Sequence, residues 1–190
     1  MKNSIENLRG KLTVFYGKYT LPISLACLKF LQDRFRKSYG LYFVAGRSLS
    51  PLHVKNLLAE LDKQFVKRIR VIPLFNPLSQ FIIVNLLGEL LKNTPIEWVV
   101  FDNIIFNFCY LKGLVKKIKI YSLIFEEISM LKYNAKKYNK NITILACEES
   151  RAIFPINFLQ KIADIVIKID HENSKTTFYF EREHNDQIYR

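Results

Sequence analysis

Val14-Phe15-Tyr16-Gly17-Lys18-Tyr19-Thr20-Leu21-Pro22-Ile23-Ser24 leads from an apolar strand into a helical pattern, where an α/β chain carries a phosphate-binding loop. Such a loop reads G-x-x-x-x-G-K followed by Ser or Thr. Its glycines let backbone amides curl around phosphates, its lysine reaches the β- and γ-phosphates, and its hydroxyl holds Mg²⁺. Here Gly17 matches the first glycine and Ser24 the hydroxyl, but the second glycine falls on Pro22, which has a fixed φ and no N–H, and the lysine falls on Ile23. Phosphate capture is expected to be poor. Lys18 is either a solvated side chain or one that swings toward a phosphate from inside the segment.

Outward from this stretch, strands alternate with helical patterns, the signature of a parallel sheet covered on both faces. Leu12 to Tyr16 reads as the first strand and Leu21 to Lys37 as its helix, with Leu25, Leu28, Phe30 and Leu31 on the buried side. Leu41 to Ala45 reads as a strand, Pro51 to Gln64 as a helix capped by Ser50, Arg68 to Phe75 as a strand and Pro77 to about Lys92 as a helix. Glu97-Trp98-Val99-Val100-Phe101-Asp102 is a continuous apolar run ending in a carboxylate, which suits a central strand. A long helix from about Lys119 to Tyr138 carries Ile120, Ile124, Ile128, Leu131 and Ala135 on one stripe, with Glu126 and Glu127 early and Lys136 and Lys137 late. Asn141 to Cys147 is another buried strand, and Glu148 to Gln160 reads as irregular, broken by Pro155. Ala163 to Asp170 and Lys175 to Arg182 alternate around the turn His171-Glu172-Asn173-Ser174 and predict a closing antiparallel hairpin.

The chain has 190 residues, of which 49% are hydrophobic, and this predicts a single domain over 1–190 with a substantial core. A net charge of +12 and a pI near 9.6 point to a polyanionic partner. Nucleic acid is expected before a membrane, because no segment reaches the roughly 20 uninterrupted apolar residues of a spanning helix. The polar start Met1-Lys2-Asn3-Ser4-Ile5-Glu6 lacks the apolar core of a secretory signal, so a cytoplasmic location is expected. Cys27, Cys109 and Cys147 lie in apolar surroundings without C-x-x-C spacing and read as buried thiols. His53, His171 and His184 form no zinc or triad pattern, and no metal site is expected.

In order and spacing, four stretches together resemble the RecA-like ATPase core, specifically the archaeal RadA recombinase and its paralogues. They are Leu12-Thr13-Val14-Phe15-Tyr16-Gly17, Trp98-Val99-Val100-Phe101-Asp102-Asn103, Asn141-Ile142-Thr143-Ile144-Leu145-Ala146-Cys147-Glu148 and Ala163-Asp164-Ile165-Val166-Ile167-Lys168. The resemblance spans roughly Leu8 to Arg182 and lacks that family's N-terminal helix-hairpin-helix domain. It implies a three-layer α/β/α fold with a mostly parallel central sheet and the C-terminal antiparallel hairpin. It also implies a nucleotide site, whose surviving positions here are Gly17, Lys18, Ser24 and Asp102.

The departures bear on activity. The water-activating glutamate of the family aligns with Gly46 or Arg47, neither of which acts as a base, and the polar sensor at the end of the fifth strand falls near Glu148. Asp102 matches the Mg²⁺-orienting aspartate and is open between a residual metal role and a strand-end cap of the following turn. Ser24 reads as an ordinary first-turn hydroxyl. No catalytic residue is assigned, hydrolysis is expected to be negligible, and neither ATP nor Mg²⁺ is expected as a cofactor.

The resemblance implies two DNA loops. The first falls on Asn107 to Lys119, where Gly113 gives flexibility and Lys112, Lys116, Lys117 and Lys119 form a phosphate track. Tyr110 there either stacks a base or packs into the core. The second falls on Glu149 to Gln160, with Arg151 and Phe154. Together these readings predict a catalytically inactive RadA-like accessory protein of homologous recombination or DNA repair, binding single- or double-stranded DNA, a RadA-type recombinase, or both. Two alternatives remain. One is a weak ATP binder through Gly17, Ser24 and Asp102, completed by a partner subunit's arginine. The other is a structural partner that packs Gly17 to Ser24 against another RecA-like subunit.

Overall fold

The computed structural model describes residues 8–46, 50–147, 155–172 and 175–183. Seven strands form one sheet: β1 (Leu12–Gly17), β2 (Tyr39–Ala45), β3 (Ile69–Leu74), β4 (Ile96–Asp102), β5 (Asn141–Cys147), β6 (Ile165–Glu172) and β7 (Lys175–Glu183). Their order is β3-β2-β4-β5-β1-β6-β7, parallel throughout except for the antiparallel β6–β7 pair at one edge. The helices are α1 (Thr20–Phe35), α2 (Pro51–Ala59), α3 (Lys63–Val66), α4 (Pro77–Lys92), α5 (Lys117–Tyr138) and α6 (Ile156–Ile162), with a 3₁₀ helix at Phe106–Leu111. No helix among the described residues is long and apolar enough to cross a membrane.

Two apolar layers sandwich the sheet, as expected for parallel strands buried on both faces. On one face Phe15, Tyr42, Trp98, Val100, Leu145 and Ile167 pack under α1, α2 and Phe65 of α3. On the other, Val14, Phe43, Val99, Phe101 and Ile144 pack under α4, α5 and α6. The stripe Ile120, Ile124, Ile128, Leu131 and Ala135 faces inward along α5, as its spacing predicts. Each large side chain moved from water into these layers contributes about 1.5–3 kcal/mol before entropy is counted.

Several boundaries differ from the sequence reading. The helix expected from Pro51 to Gln64 is two helices, because Asp62 acts as a cap. Its carboxylate accepts from the Gln64 and Phe65 amides at 2.8 and 3.1 Å and starts a new turn, which buries Phe65. Part of the stretch read as irregular is α6, with Pro155 at its N-cap, since a proline ahead of the first helical residues starts a helix as readily as it ends one. Within α1, Leu25 is only half-buried, while Ile23, Cys27 and Leu28 take the core positions. Cys27 and Cys147 are buried as expected, but Cys109 is partly exposed, because the 3₁₀ helix that carries it turns one side outward.

Candidate functional site

Gly17 closes β1, and only Lys18 and Tyr19 separate it from α1. A Cβ on Gly17 would stand 2.3 Å from the Ile169 carbonyl oxygen, so this glycine permits the close approach of β6. The Tyr19 carbonyl accepts from the Ile23 amide at 3.3 Å, which draws the segment into a helical turn at once. Pro22 lies within that first turn, where its missing N–H removes no helical hydrogen bond. Gly17 therefore ends a strand, Tyr19 is extended, and the amides from Thr20 to Ser24 already belong to α1. The Cys147 thiol donates to the Lys18 carbonyl at 3.0 Å and fixes the connection from the β5 side.

Ser24 and Asp102 do come together, and both are buried, at 0% and 1% exposure. The Ser24 Oγ lies 2.5 Å from Asp102 Oδ2 and 2.9 Å from the Thr20 carbonyl, so its single hydrogen is shared between two acceptors. The Tyr42 hydroxyl donates to the same Asp102 Oδ2. Tyr42 comes from β2, whose Val44 is paired with Asp102, so strand register brings the phenol under the carboxylate. Burial, and after it the charge of Asp102, push the Tyr42 phenol and the Cys27 thiol well above their ordinary pKa values, so both stay protonated at neutral pH.

Tyr42 went unrecognised in the sequence. The available signal was a tyrosine inside the apolar run Leu41 to Ala45, because a buried phenol needs an acceptor. The gap among Thr20, Ile23, Asp102 and Cys147 is too narrow for a water molecule. Ser24 and Asp102, the positions matched to Mg²⁺ binding, are engaged with one another, and Tyr42 reaches the same carboxylate oxygen. Among the described residues no group of three or more His, Cys, Asp or Glu side chains could hold a metal ion.

Gly46, one of the two residues aligned with a catalytic base, has φ +59°, and a Cβ there would stand 2.0 Å from the Phe106 ring. Its role is to let the 3₁₀ helix close over the end of β2. Gly46→Ala is expected to destabilise the fold by about 1–3 kcal/mol, through overpacking and left-handed strain, read as a lower urea midpoint. Arg47 and Glu148 lie outside the described residues, as do Arg151 and Phe154 of the second expected DNA loop.

The first expected DNA loop is more ordered than its glycine suggested. Phe106–Leu111 is the 3₁₀ helix, a parallel bridge joins Lys112 to Val115, and α5 already begins at Lys117. Lys112, Lys116, Lys117 and Lys119 are all exposed. Lys116 caps α5 and no acidic residue occupies its first turn, so the lysines add to the positive end of the helix dipole. Tyr110 is 56% exposed, which resolves the alternative left open by the sequence in favour of an accessible ring, with Leu114 and Ile118 also exposed nearby in the chain.

A buried polar relay anchors this segment. The Asn107 amide donates to Gln80 Oε1 at 3.0 Å and to the Leu74 carbonyl at 3.3 Å, and Gln80 Nε2 donates to Glu127 Oε2 at 2.7 Å. All three side chains are essentially inaccessible. Burial raises the Glu127 carboxyl to about 7, helped by the charge of Glu126 and opposed by the Gln80 hydrogen bond.

No protein-family model matches the chain, and no curated protein matches it by sequence. Among solved structures it is similar to one described as the crystal structure of the RadB recombinase, at 17% identity and a TM-score of 0.63, over 93% of this chain and 82% of that one. At that identity the likeness is one of fold: a RecA-like α/β core with a mostly parallel seven-stranded sheet and a closing antiparallel hairpin.

Proposed function

We propose that this chain is a RecA-fold accessory protein of homologous recombination or DNA repair, inactive as an ATPase, that binds DNA, a partner recombinase, or both. The observation that carries the proposal is the environment of Asp102. The side chain that would orient Mg²⁺ instead accepts hydrogen bonds from Ser24 and Tyr42, while the segment that would wrap phosphates is a two-residue connection from β1 straight into the first turn of α1. Without lysine, base or amide nest, the positioning and charge stabilisation of phosphoryl transfer are lost together. The RadA-like assignment rests on the sequence landmarks and gains support from the recombinase whose fold this chain shares.

Four exposed lysines around the start of α5, an accessible Tyr110 and a net charge of +12 support the nucleic-acid half. The partner half is favoured by α4, which exposes Leu78, Phe81, Ile82 and Leu86. A fluorescent ATP analogue titrated with Mg²⁺ is expected to show no saturation in the micromolar range, and saturation there would favour the weak ATP-binding alternative. DNA binding is expected to fall in a Lys112/Lys116/Lys117 triple alanine variant. The log–log salt slope should drop by about 2–3, since each lysine that meets a phosphate contributes about 0.7 for a single strand and about 0.9 for a duplex. An unchanged slope would remove this segment from the interface.

A further inference from the structure

One stretch of sheet surface is left half-covered by the helices. α1 packs across β5, β1 and β6, and β7 lies beyond it. Phe178 and Phe180 of β7 are paired with Ile169 and Ile167 of β6, so they share the face on which those isoleucines pack in the α1 layer. Between them and the flank of α1 runs an open groove of about 680 Å³, walled by Lys29, Phe30, Arg34 and Lys175.

The chemistry of this groove is specific. Among the described lining residues three cations stand with one carboxylate, Asp33, while Glu60 pairs with Lys29 and Glu172 lies opposite Lys175 just outside the groove. The Arg34 guanidinium lies over the Phe30 ring at 3.7 Å and Arg34 Nη1 donates to the Phe30 carbonyl at 3.4 Å, which holds its plane against the wall. Lys29 pairs with Glu60 at 3.6 Å, both side chains about half exposed, and such a surface pair yields readily to a phosphate. The Phe180 ring is 44% exposed. Same-face residues two apart on a strand stand about 6.8 Å from one another, a stride that an extended single strand can follow base by base. Aromatic rings on an open sheet face flanked by basic side chains are a recurrent platform for unstacked bases.

We infer that the groove between α1 and β7 binds single-stranded nucleic acid, with bases lying against Phe178 and Phe180 while Lys29, Arg34 and Lys175 meet its phosphates. The inference rests on the nucleic-acid half of the proposed function and adds a second surface to it. β7 is four strands from β4 in the sheet, about 19 Å at about 4.8 Å per strand, and the 3₁₀ helix packs on the opposite face. A duplex keeps its base faces stacked inward and cannot offer them to the rings. An acidic polypeptide would satisfy the cations but has no use for the exposed Phe180 ring beside the half-buried Phe178.

The test uses fluorescein-labelled (dT)20 and a 20-base-pair duplex at low salt. Phe180→Leu keeps an apolar side chain but removes the stacking face, and is expected to weaken (dT)20 binding roughly tenfold while leaving duplex binding unchanged. Lys29→Ala/Lys175→Ala should lower the (dT)20 salt slope by about 1.4. Photocrosslinks from 5-iodouracil-substituted (dT)20 should map to the peptide carrying Phe178 and Phe180. Unchanged Trp98 emission and urea midpoint certify that each variant is folded.

If Phe180→Leu binds (dT)20 like the unaltered protein and crosslinks fall only within 107–119, the groove is overturned while the nucleic-acid reading stands. If the unaltered protein binds neither probe, both fall together. If a poly-glutamate 20-mer binds more tightly than (dT)20 and is indifferent to Phe180→Leu, the groove belongs to an acidic protein partner and the inference is overturned.

Discussion

Replacing Tyr42 with phenylalanine is expected to cost about 3 kcal/mol of stability, far more than one hydroxyl carries at a surface. The reason is the partner left behind. Asp102 is 1% exposed, and the Tyr42 hydroxyl is one of its donors. Removing it leaves a desolvated carboxylate under-bonded, whereas the ring itself keeps its packing. A second substitution separates this cause from lost packing. In the Tyr42→Phe background, Asp102→Asn replaces the anion with a neutral amide and should recover part of the loss, so the two changes will be less than additive. Urea unfolding followed by the emission of Trp98, the chain's one tryptophan, reads both. A loss under about 0.5 kcal/mol, with fully additive changes, would show that the carboxylate does not depend on the phenol.

The second large effect is a dependence on pH. The Glu127 carboxyl is raised from 4.5 to about 7 by burial in the Asn107–Gln80–Glu127 relay. Its folded-state pKa lies above the unfolded one, so between these values the folded protein holds a proton that the unfolded chain has released. Stability from this group is fully present below about pH 4.5 and is lost as pH rises through about 7, a total of about 3 kcal/mol at about 1.4 kcal/mol per unit. Glu127→Gln stays neutral and can still accept from Gln80. It is therefore expected to flatten the profile and to unfold at higher urea than the unaltered chain at pH 8, with little difference at pH 4.5. Parallel profiles for the two proteins would exclude Glu127 as the titrating group.

The sequence was most informative where a pattern repeats. The alternation of elements, the α5 stripe, the continuous run into Asp102 and the closing hairpin follow from periodicity and apolar run length, which depend on neighbouring residues alone. It was least informative where a polar group finds its partner across the fold. Nothing local links Tyr42 to Asp102, 60 positions apart, or Gln80 to Glu127, 47 apart; parallel register and helix packing make those meetings. Asp62 and Pro155 misled for a different reason, because each both ends one pattern and starts the next, and a linear reading sees only the ending. The candidate site was legible as a set of departures from a phosphate loop. What replaces the loop was not, since it depends on how closely Ile169 of β6 approaches Gly17.

That close approach continues into tight packing at the start of α1. Ile23 stands where a phosphate loop keeps its lysine, and it is 2% exposed, packed into the apolar layer under α1. A lysine at that position would carry its ammonium into the core instead of toward a ligand, and the fold would be damaged before any phosphate was gained. Ser24, the matching hydroxyl, is likewise committed to Asp102. Both positions serve the protein interior, and a single substitution at Ile23 would not turn the segment toward a ligand.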